Sequence, residues 1–292
     1  LMIRRCLPSL VDLGYPHVAQ GLDLAPAIRT ALETRWPGAD PGYFTQTWWV
    51  VALTGAAVGF FAGLFGAGGS AVGTPLLHAA GVPAFLALGS PLPATVPITL
   101  AASGAYWERG YVDRRTLAWS IAVGVPATVG GALLTPYVGG ELLVRTTEGV
   151  VAAIGVRLVV YPQEPPERRR EAGFLRVRLV AVAITVGLVS GLLANSGGFL
   201  LTPLYLLVLR LPVKRALATS LAVSAALAVP GTFAHWALGH IDWRVALAYT
   251  GLAVPASYLG ARLAISTSPR RLTRVYGVFL TLLASALLLF RR

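Results

Sequence analysis

The sequence predicts an all-α integral membrane protein made of two homologous repeats, each with about five hydrophobic segments, the second repeat inverted relative to the first. Three observations lead there. The 292 residues are 55% hydrophobic and only 12% charged, where a soluble domain carries about 25% charge. The apolar runs are also long enough to cross a bilayer. One glycine-rich stretch, Gly63-Leu64-Phe65-Gly66-Ala67-Gly68-Gly69-Ser70-Ala71-Val72-Gly73-Thr74-Pro75, returns 128 positions later as Gly191-Leu192-Leu193-Ala194-Asn195-Ser196-Gly197-Gly198-Phe199-Leu200-Leu201-Thr202-Pro203. Finally, most arginines sit in short loops between apolar runs, the positive-inside pattern of membrane proteins.

Residues 1–46 form an expected extramembrane segment. They mix Arg4, Arg5, Asp12, Asp23, Arg29, Glu33, Arg35 and Asp40 with several prolines. Asp12 interrupts the one short apolar stretch, so a cleaved signal peptide is not expected. The part from Pro26 to Trp36 reads either as a surface helix or as an unstructured terminus.

The first membrane repeat covers residues 47–161. Its runs fall at 47–65, 70–80, 90–107, 116–137 and 141–161, with an uncharged turn at 82–89 and a charged one at 108–115. Residues 162–173 form a charged linker with Glu164, Glu167, Arg168, Arg169, Arg170 and Glu171. The second repeat, 174–292, has runs at 174–194, 198–209, 214–238, 243–265 and 271–290. Further landmarks keep the register at an offset of 129. Trp107-Glu108-Arg109-Gly110-Tyr111-Val112-Asp113 aligns with Trp236-Ala237-Leu238-Gly239-His240-Ile241-Asp242, Val125-Pro126-Ala127 with Val254-Pro255-Ala256, and Gly131-Ala132 with Gly260-Ala261.

Five segments per half is an odd number, so the halves should be inverted. With the central linker cytoplasmic, inversion puts Arg109, Arg114, Arg115, Arg210, Lys214, Arg215, Arg262, Arg270, Arg271 and Arg274 on the same side. The opposite side receives the 82–89 turn, Arg145 and Arg244. A parallel arrangement would send the clusters around Arg215 and Arg271 outside, against the positive-inside rule. Inversion also leaves both ends of the chain outside.

The short runs after Gly69 and Gly197 reach only about half a bilayer at ~1.5 Å per residue. Each broken pair is therefore expected to dip in from one face as a hairpin, its glycine tip inside the protein. Non-helical backbone at that depth is tolerated only where it lines a cavity.

Glycines permit the backbone break, and the helix restarting after it exposes free N–H groups that suit an anion. Such breaks at matching places in two repeats point to a transporter's substrate site. The candidate substrate-binding residues are Gly66, Gly68, Gly69, Ser70 and Thr74 at the first break. At the second they are Asn195, Ser196, Gly197, Gly198 and Thr202. Neutral dipoles fit a mobile anion, because a buried full charge would hold it too tightly to release. The competing reading is that the glycines only allow close helix packing. Ser90, Thr95, Thr219 and Ser220, at the starts of the third runs, either line the same cavity or bond their own backbone.

The remaining polar residues have ordinary readings. His78 and His235 are not repeat mates and read as structural hydrogen-bonders before proton carriers. Trp107 and Trp236 read as interfacial anchors, Asp113 and Asp242 as helix caps, and Arg157 as a snorkelling residue. Cys6 is the single cysteine and excludes an intrachain disulfide or a thiolate metal site. The excess of 24 Arg and Lys over 12 Asp and Glu lies in membrane loops, so nucleic acid is not an expected partner. HExxH, paired intramembrane aspartates, a Walker loop and GxSxG are all missing from the sequence. No enzyme activity, cofactor or metal is expected.

At the two breaks, at Ser90-Pro91-Leu92-Pro93-Ala94-Thr95, at Gly110 to Asp113, and at Ala194 to Leu200 with Pro203, the sequence resembles the TauE/SafE family of sulfite exporters. The likeness runs from about residue 50 to the end. It implies export of sulfite, an organosulfonate or a related small inorganic or organic sulfur anion across the cytoplasmic (cell) membrane, with the lipid bilayer as surroundings. Family members commonly carry three glycines at the break. Here Ser70 closes the first copy and Ser196 opens the second, which alters the donors at each tip. The expected function is a secondary transporter working by alternating access. A passive anion channel or gated pore, a transporter of another small anionic solute, and a membrane-bound scaffold or enzyme subunit without transport are the rival readings.

Overall fold

The computed structural model describes residues 42–66, 68–82, 84–134, 156, 160, 172–192, 195–237 and 241–289. The expected N-terminal segment up to residue 41, most of the run at 141–161 with Arg145 and Arg157, and the linker up to residue 171 lie outside the described residues. So do the side chains of His78 and His235.

Among the described residues all regular structure is helical. Helix α1 spans Gly42–Phe65, α2 Ser70–Ala79, α3 Ala84–Gly89, α4 Pro91–Trp107 and α5 Arg114–Leu134. Then come α6 at Ala172–Leu192, α7 at Gly198–Leu207, α8 at Val213–Ala237, α9 at Trp243–Ser266 and α10 at Pro269–Leu289. Two boundaries differ from the sequence reading. Helix α1 already begins at Gly42 rather than at residue 47, and the stretch read as a plain turn at 82–89 contains helix α3. Gly81 turns the chain in the left-handed region (φ 89°).

Local chemistry sets the other ends. The Asp242 carboxylate caps α9 by accepting from the Arg244 and Val245 amides at 2.8 and 3.4 Å. The Asp113 carboxylate accepts from Thr116 N at 2.9 Å ahead of α5. Each bond satisfies an amide that has no partner inside the helix. Helices α4, α5, α7, α8 and α9 keep an internal proline, which membrane helices tolerate where neighbours take up the freed carbonyls.

Three of these helices contain windows long and apolar enough to cross a membrane, at Trp48–Phe65, Arg114–Leu134 and Val213–Phe233. The outward faces are apolar as well: Leu100, Leu133, Val177, Leu247, Leu259 and Leu282 are all more than half exposed. Hydroxyls point the other way, with Thr99, Ser120, Thr128, Ser224 and Ser257 buried. That distribution is the inverse of a water-soluble bundle, and it matches lipid as the surrounding solvent.

The helices interlock in a pattern that can be traced residue by residue. Along α1, Gly55, Gly59 and Gly63 lie directly under the carbonyls of Tyr249, Ala253 and Ser257 of α9. Along α6, Gly187 and Gly191 lie under those of Gly124 and Thr128 of α5. Numbers rise together in both pairs, so each pair runs parallel. Gly260 sits against the carbonyl of Phe60, and Gly131 against that of Leu188. At every one of these places a Cβ would collide with backbone. Small residues let the backbones approach until dispersion and dipolar contacts replace the hydrophobic drive that lipid does not supply. Helices α4 and α8 cross antiparallel: Ser103 Oγ reaches Ala218 O at 3.5 Å, while Gly231 faces Leu92 at the other end.

The core has two parts. The larger gathers Phe65, Tyr106, Tyr205 and Leu217 with Tyr276 of α10, and Phe65 stacks on Phe279 at 4.5 Å between ring centroids. The smaller gathers Val51, Val58, Leu77, Ile98 and Tyr249. One end of the bundle brings basic residues together. Lys214 donates to the Ile265 carbonyl and stands 5.8 Å over the Tyr111 ring. The charged loop before α5, the start of α8 and the end of α9 therefore share that end. At the other end Asp242 N donates to Ser90 Oγ at 3.0 Å.

Candidate functional site

Two helix breaks meet inside the bundle. Helix α1 stops at Phe65 because Gly66 and Gly68 adopt left-handed backbone (φ 65° and 67°), which costs other residues ~1–2 kcal/mol. Helix α2 then restarts at Ser70. The second break follows α6. Gly197 is left-handed (φ 70°) and stands at the N-cap of α7, where it has no side chain to cap the helix; its carbonyl accepts from the Leu200 and Leu201 amides at 3.0 Å.

The breaks are bonded to each other through Ser70. Its Oγ donates to Asn195 Oδ1 at 2.6 Å and accepts from Ser196 N at 3.2 Å. Ser196 Oγ lies 3.1 Å from the same oxygen. Because the Ser70 proton is directed at Asn195, the Ser196 hydroxyl is the donor in that contact. Little space is left between the breaks: a Cβ on Gly68 would collide with Ser196 Oγ and stand 3.6 Å from Gly198 Cα.

Side chains from other helices hold the carbonyls of the first break. Gly66 O lies 3.1 Å from both Thr202 Oγ1 and Ser220 Oγ; those two hydroxyls are 2.7 Å apart, and Ser220 Oγ is also 2.9 Å from Leu217 O, so their two protons are shared among these acceptors in one small network. Gly69 O accepts from Tyr249 Oη at 3.2 Å. At the second break Ser190 Oγ donates to Asn195 O at 2.6 Å. Ser70, Ser196, Thr202 and Ser220 are at most 2% exposed, while Asn195 is partly exposed. Charged groups do not take part in any of these bonds, and the site is a set of neutral hydroxyls, an amide and two helix starts.

The sequence-derived candidates divide into groups. Gly66, Gly68, Gly69, Ser70, Asn195, Ser196, Gly197, Gly198, Thr202 and Ser220 come together at the breaks. Thr95 lies beside them, its Oγ1 3.7 Å from where a Gly69 Cβ would stand, and it donates to Pro91 O at 2.9 Å. Thr74 bonds back to Ser70 O at 3.1 Å. Ser90 and Thr219 lie elsewhere. Ser90 Oγ receives the Asp242 amide, and Thr219 Oγ1 receives the Asp113 amide at 3.0 Å. Sequence reasoning missed Tyr249 and Ser190, which hold carbonyls of the breaks. Both lie inside apolar runs where no local motif marks them.

A family model described as sulfite exporter TauE/SafE matches residues 51–287. The chain belongs to the TauE/SafE family. It is similar to a probable membrane transporter protein of Xylella fastidiosa strain 9a5c, 28% identical over 79% of this chain and 91% of the relative. A counterpart from strain Temecula1 is 27% identical over the same shares. The probable membrane transporter protein YunE of Bacillus subtilis is 32% identical over 32% of this chain and 33% of its own. No solved structure matches. As a TauE/SafE member with outward apolar faces, the chain is a membrane transporter.

Proposed function

We propose that this transporter exports a small sulfur oxyanion, sulfite or an organosulfonate, across the cytoplasmic membrane by alternating access. The observation that carries the reading is the Ser70 contact with Asn195 and Ser196. It joins the starts of two short helices, each about 15 Å long at ~1.5 Å per residue, or half of a ~30 Å hydrocarbon core. Helix N-termini attract anions through their free amides and dipole. Neutral donors bind an oxyanion without the strong retention that a buried cation would impose.

Inverted repeats are part of the same proposal. Contacts of the two halves correspond at the offsets seen in the sequence: Gly59 with Gly187, Gly63 with Gly191, Gly131 with Gly260, and the Asp113–Thr219 bond with the Asp242–Ser90 bond. The helices of the third hydrophobic runs, α4 and α8, run antiparallel, as inversion requires. The end that gathers Lys214 and the charged 108–115 loop is the cytoplasmic one by the positive-inside rule. Rocking one half against the other would open the breaks to either side. Buried hydrogen bonds across the breaks favour this over a standing pore. An inside-negative potential assists anion exit by ~2.3 kcal/mol per charge per 100 mV.

The test is sulfite flux into proteoliposomes holding the purified chain, with sulfate, thiosulfate and sulfoacetate as competitors. Saturable flux with selective competition is the expected result. Correctly inserted protein that moves no sulfur anion would sink the proposal.

A further inference from the structure

Hydroxyls in these helices usually bond the carbonyl one turn back, as Thr99, Thr128, Thr232 and Thr250 do. This is the ordinary fate of Ser and Thr inside membrane helices. Among the described residues two buried side-chain polar atoms have no hydrogen bond, Ser224 Oγ and Tyr276 Oη. Ser224 is fully buried on α8.

Its place on that helix is defined by its neighbours. Positions 217, 220, 224 and 227 form one stripe at helical spacing. Leu217 Cα would stand 3.0 Å from a Cβ on Gly66, and Ser220 Oγ bonds the Gly66 carbonyl. Leu227 Cδ1 would stand 3.3 Å from a Cβ on Gly197. Ser224 lies between them, so its hydroxyl is on the face that spans from the first break to the second. Gly197, the N-cap of α7, has no side chain to cap that helix, and its carbonyl takes the Leu200 and Leu201 amides. An unbonded buried hydroxyl costs stability, and a free donor on the face toward a helix start is an arrangement that an oxyanion completes.

We propose that Ser224 is a substrate-contacting, specificity-determining residue, its hydroxyl donating to an oxygen of the anion held at the start of α7. The inference rests on the transporter reading above and names one donor within that site. The offset of 129 pairs Ser224 with Thr95, which lies beside Gly69. The two breaks thus carry matching hydroxyls, one bonded to its own helix and one free for the substrate.

Ser224→Ala tests it with sulfite as the probe, using the full chain in proteoliposomes and thermal unfolding in detergent with and without sulfite. Since Ser224 bonds nothing in the protein, its removal should leave unfolding without sulfite unchanged or slightly later. Loss of a hydrogen bond to a charged ligand should raise the KM for sulfite about tenfold or more and shrink the sulfite-induced rise in Tm. If wild-type protein transports sulfite and Ser224→Ala matches it in KM and in that rise, the inference is overturned and the transporter reading stands. A variant that unfolds early without sulfite would also overturn it, by showing a structural role. Absence of flux and of any Tm response in wild-type protein would instead remove the transporter reading and the inference with it.

Discussion

The two helix breaks resemble each other in sequence but are held in different ways. At the first break the carbonyls are clamped: Gly66 O meets the Thr202–Ser220 hydroxyl pair and Gly69 O takes the Tyr249 hydroxyl, all from helices of the second half. At the second break Ser190, from the helix just before it, holds Asn195 O, and the α7 start has no side-chain cap. The first break is held through its carbonyls, and the second presents an N-cap that has no side chain. On the proposal above, the first copy would serve as anchor and the second as receptor.

The largest effects should come from glycines outside the breaks. Gly63→Ala and Gly191→Ala would drive a Cβ into the Ser257 and Thr128 carbonyls. Overpacking of this kind costs about 1–3 kcal/mol, sometimes more. Thermal unfolding in detergent should show large and similar losses for both. If one variant were harmless and its counterpart ruinous, the likeness between the halves would be broken.

Next are the breaks themselves. Gly197→Ala meets left-handed strain of ~1–2 kcal/mol and would bring its Cβ to 2.7 Å from Ser190 Oγ. Gly69→Ala meets nothing closer than 3.7 Å and has no left-handed backbone. Transport assays with expression controls should show loss for Gly197→Ala and near-normal flux for Gly69→Ala. Leucine at either position should abolish transport while the protein still inserts. Normal flux from both leucine variants would remove the breaks as the site.

Ser70→Ala is smaller but more revealing. It deletes the oxygen shared by Asn195 and Ser196; because Asn195 is partly exposed and can turn to solvent, the cost is about 1 kcal/mol. Because that oxygen joins the two breaks, the variant should also shift the balance between inward- and outward-open forms. Accessibility of a cysteine placed near the breaks reads this out. An unchanged labelling pattern would mean that the contact does not latch the halves.

Much of the architecture was legible because membrane helices are written as apolar runs and broken by glycine and proline. The duplicated stretch also marked both breaks. It did not separate two jobs that its glycines perform. Gly63 and Gly191 serve helix contact, while Gly66, Gly68 and Gly197 serve the turn, and only the partner carbonyls and the φ angles distinguish them. Helix α3 was missed because six apolar residues after a proline carry no periodicity to read. Tyr249 and Ser224 were missed for a related reason. Each is a single polar atom in an apolar run, and its meaning depends on what stands opposite. The 129 offset, carried along the helices, would have paired Ser224 with Thr95.

Ser90 and Thr219 give the smallest and most discriminating prediction. Each hydroxyl accepts one backbone amide, from Asp242 and Asp113 respectively, so each ties the loop ahead of a capped helix to the helix beside it. One neutral hydrogen bond contributes about 1 kcal/mol. Ser90→Ala and Thr219→Ala should therefore lower the unfolding temperature slightly and to the same degree. Neither should alter the ranking of sulfite against its competitors, because each hydroxyl stands against the loop ahead of a capped helix and not at the breaks. If Ser90→Ala changed that ranking while stability held, the hydroxyl would be meeting substrate in another conformation. The third-run hydroxyls would then belong to the permeation path, and the division between anchoring and receiving residues would have to be redrawn around the helix starts of both halves.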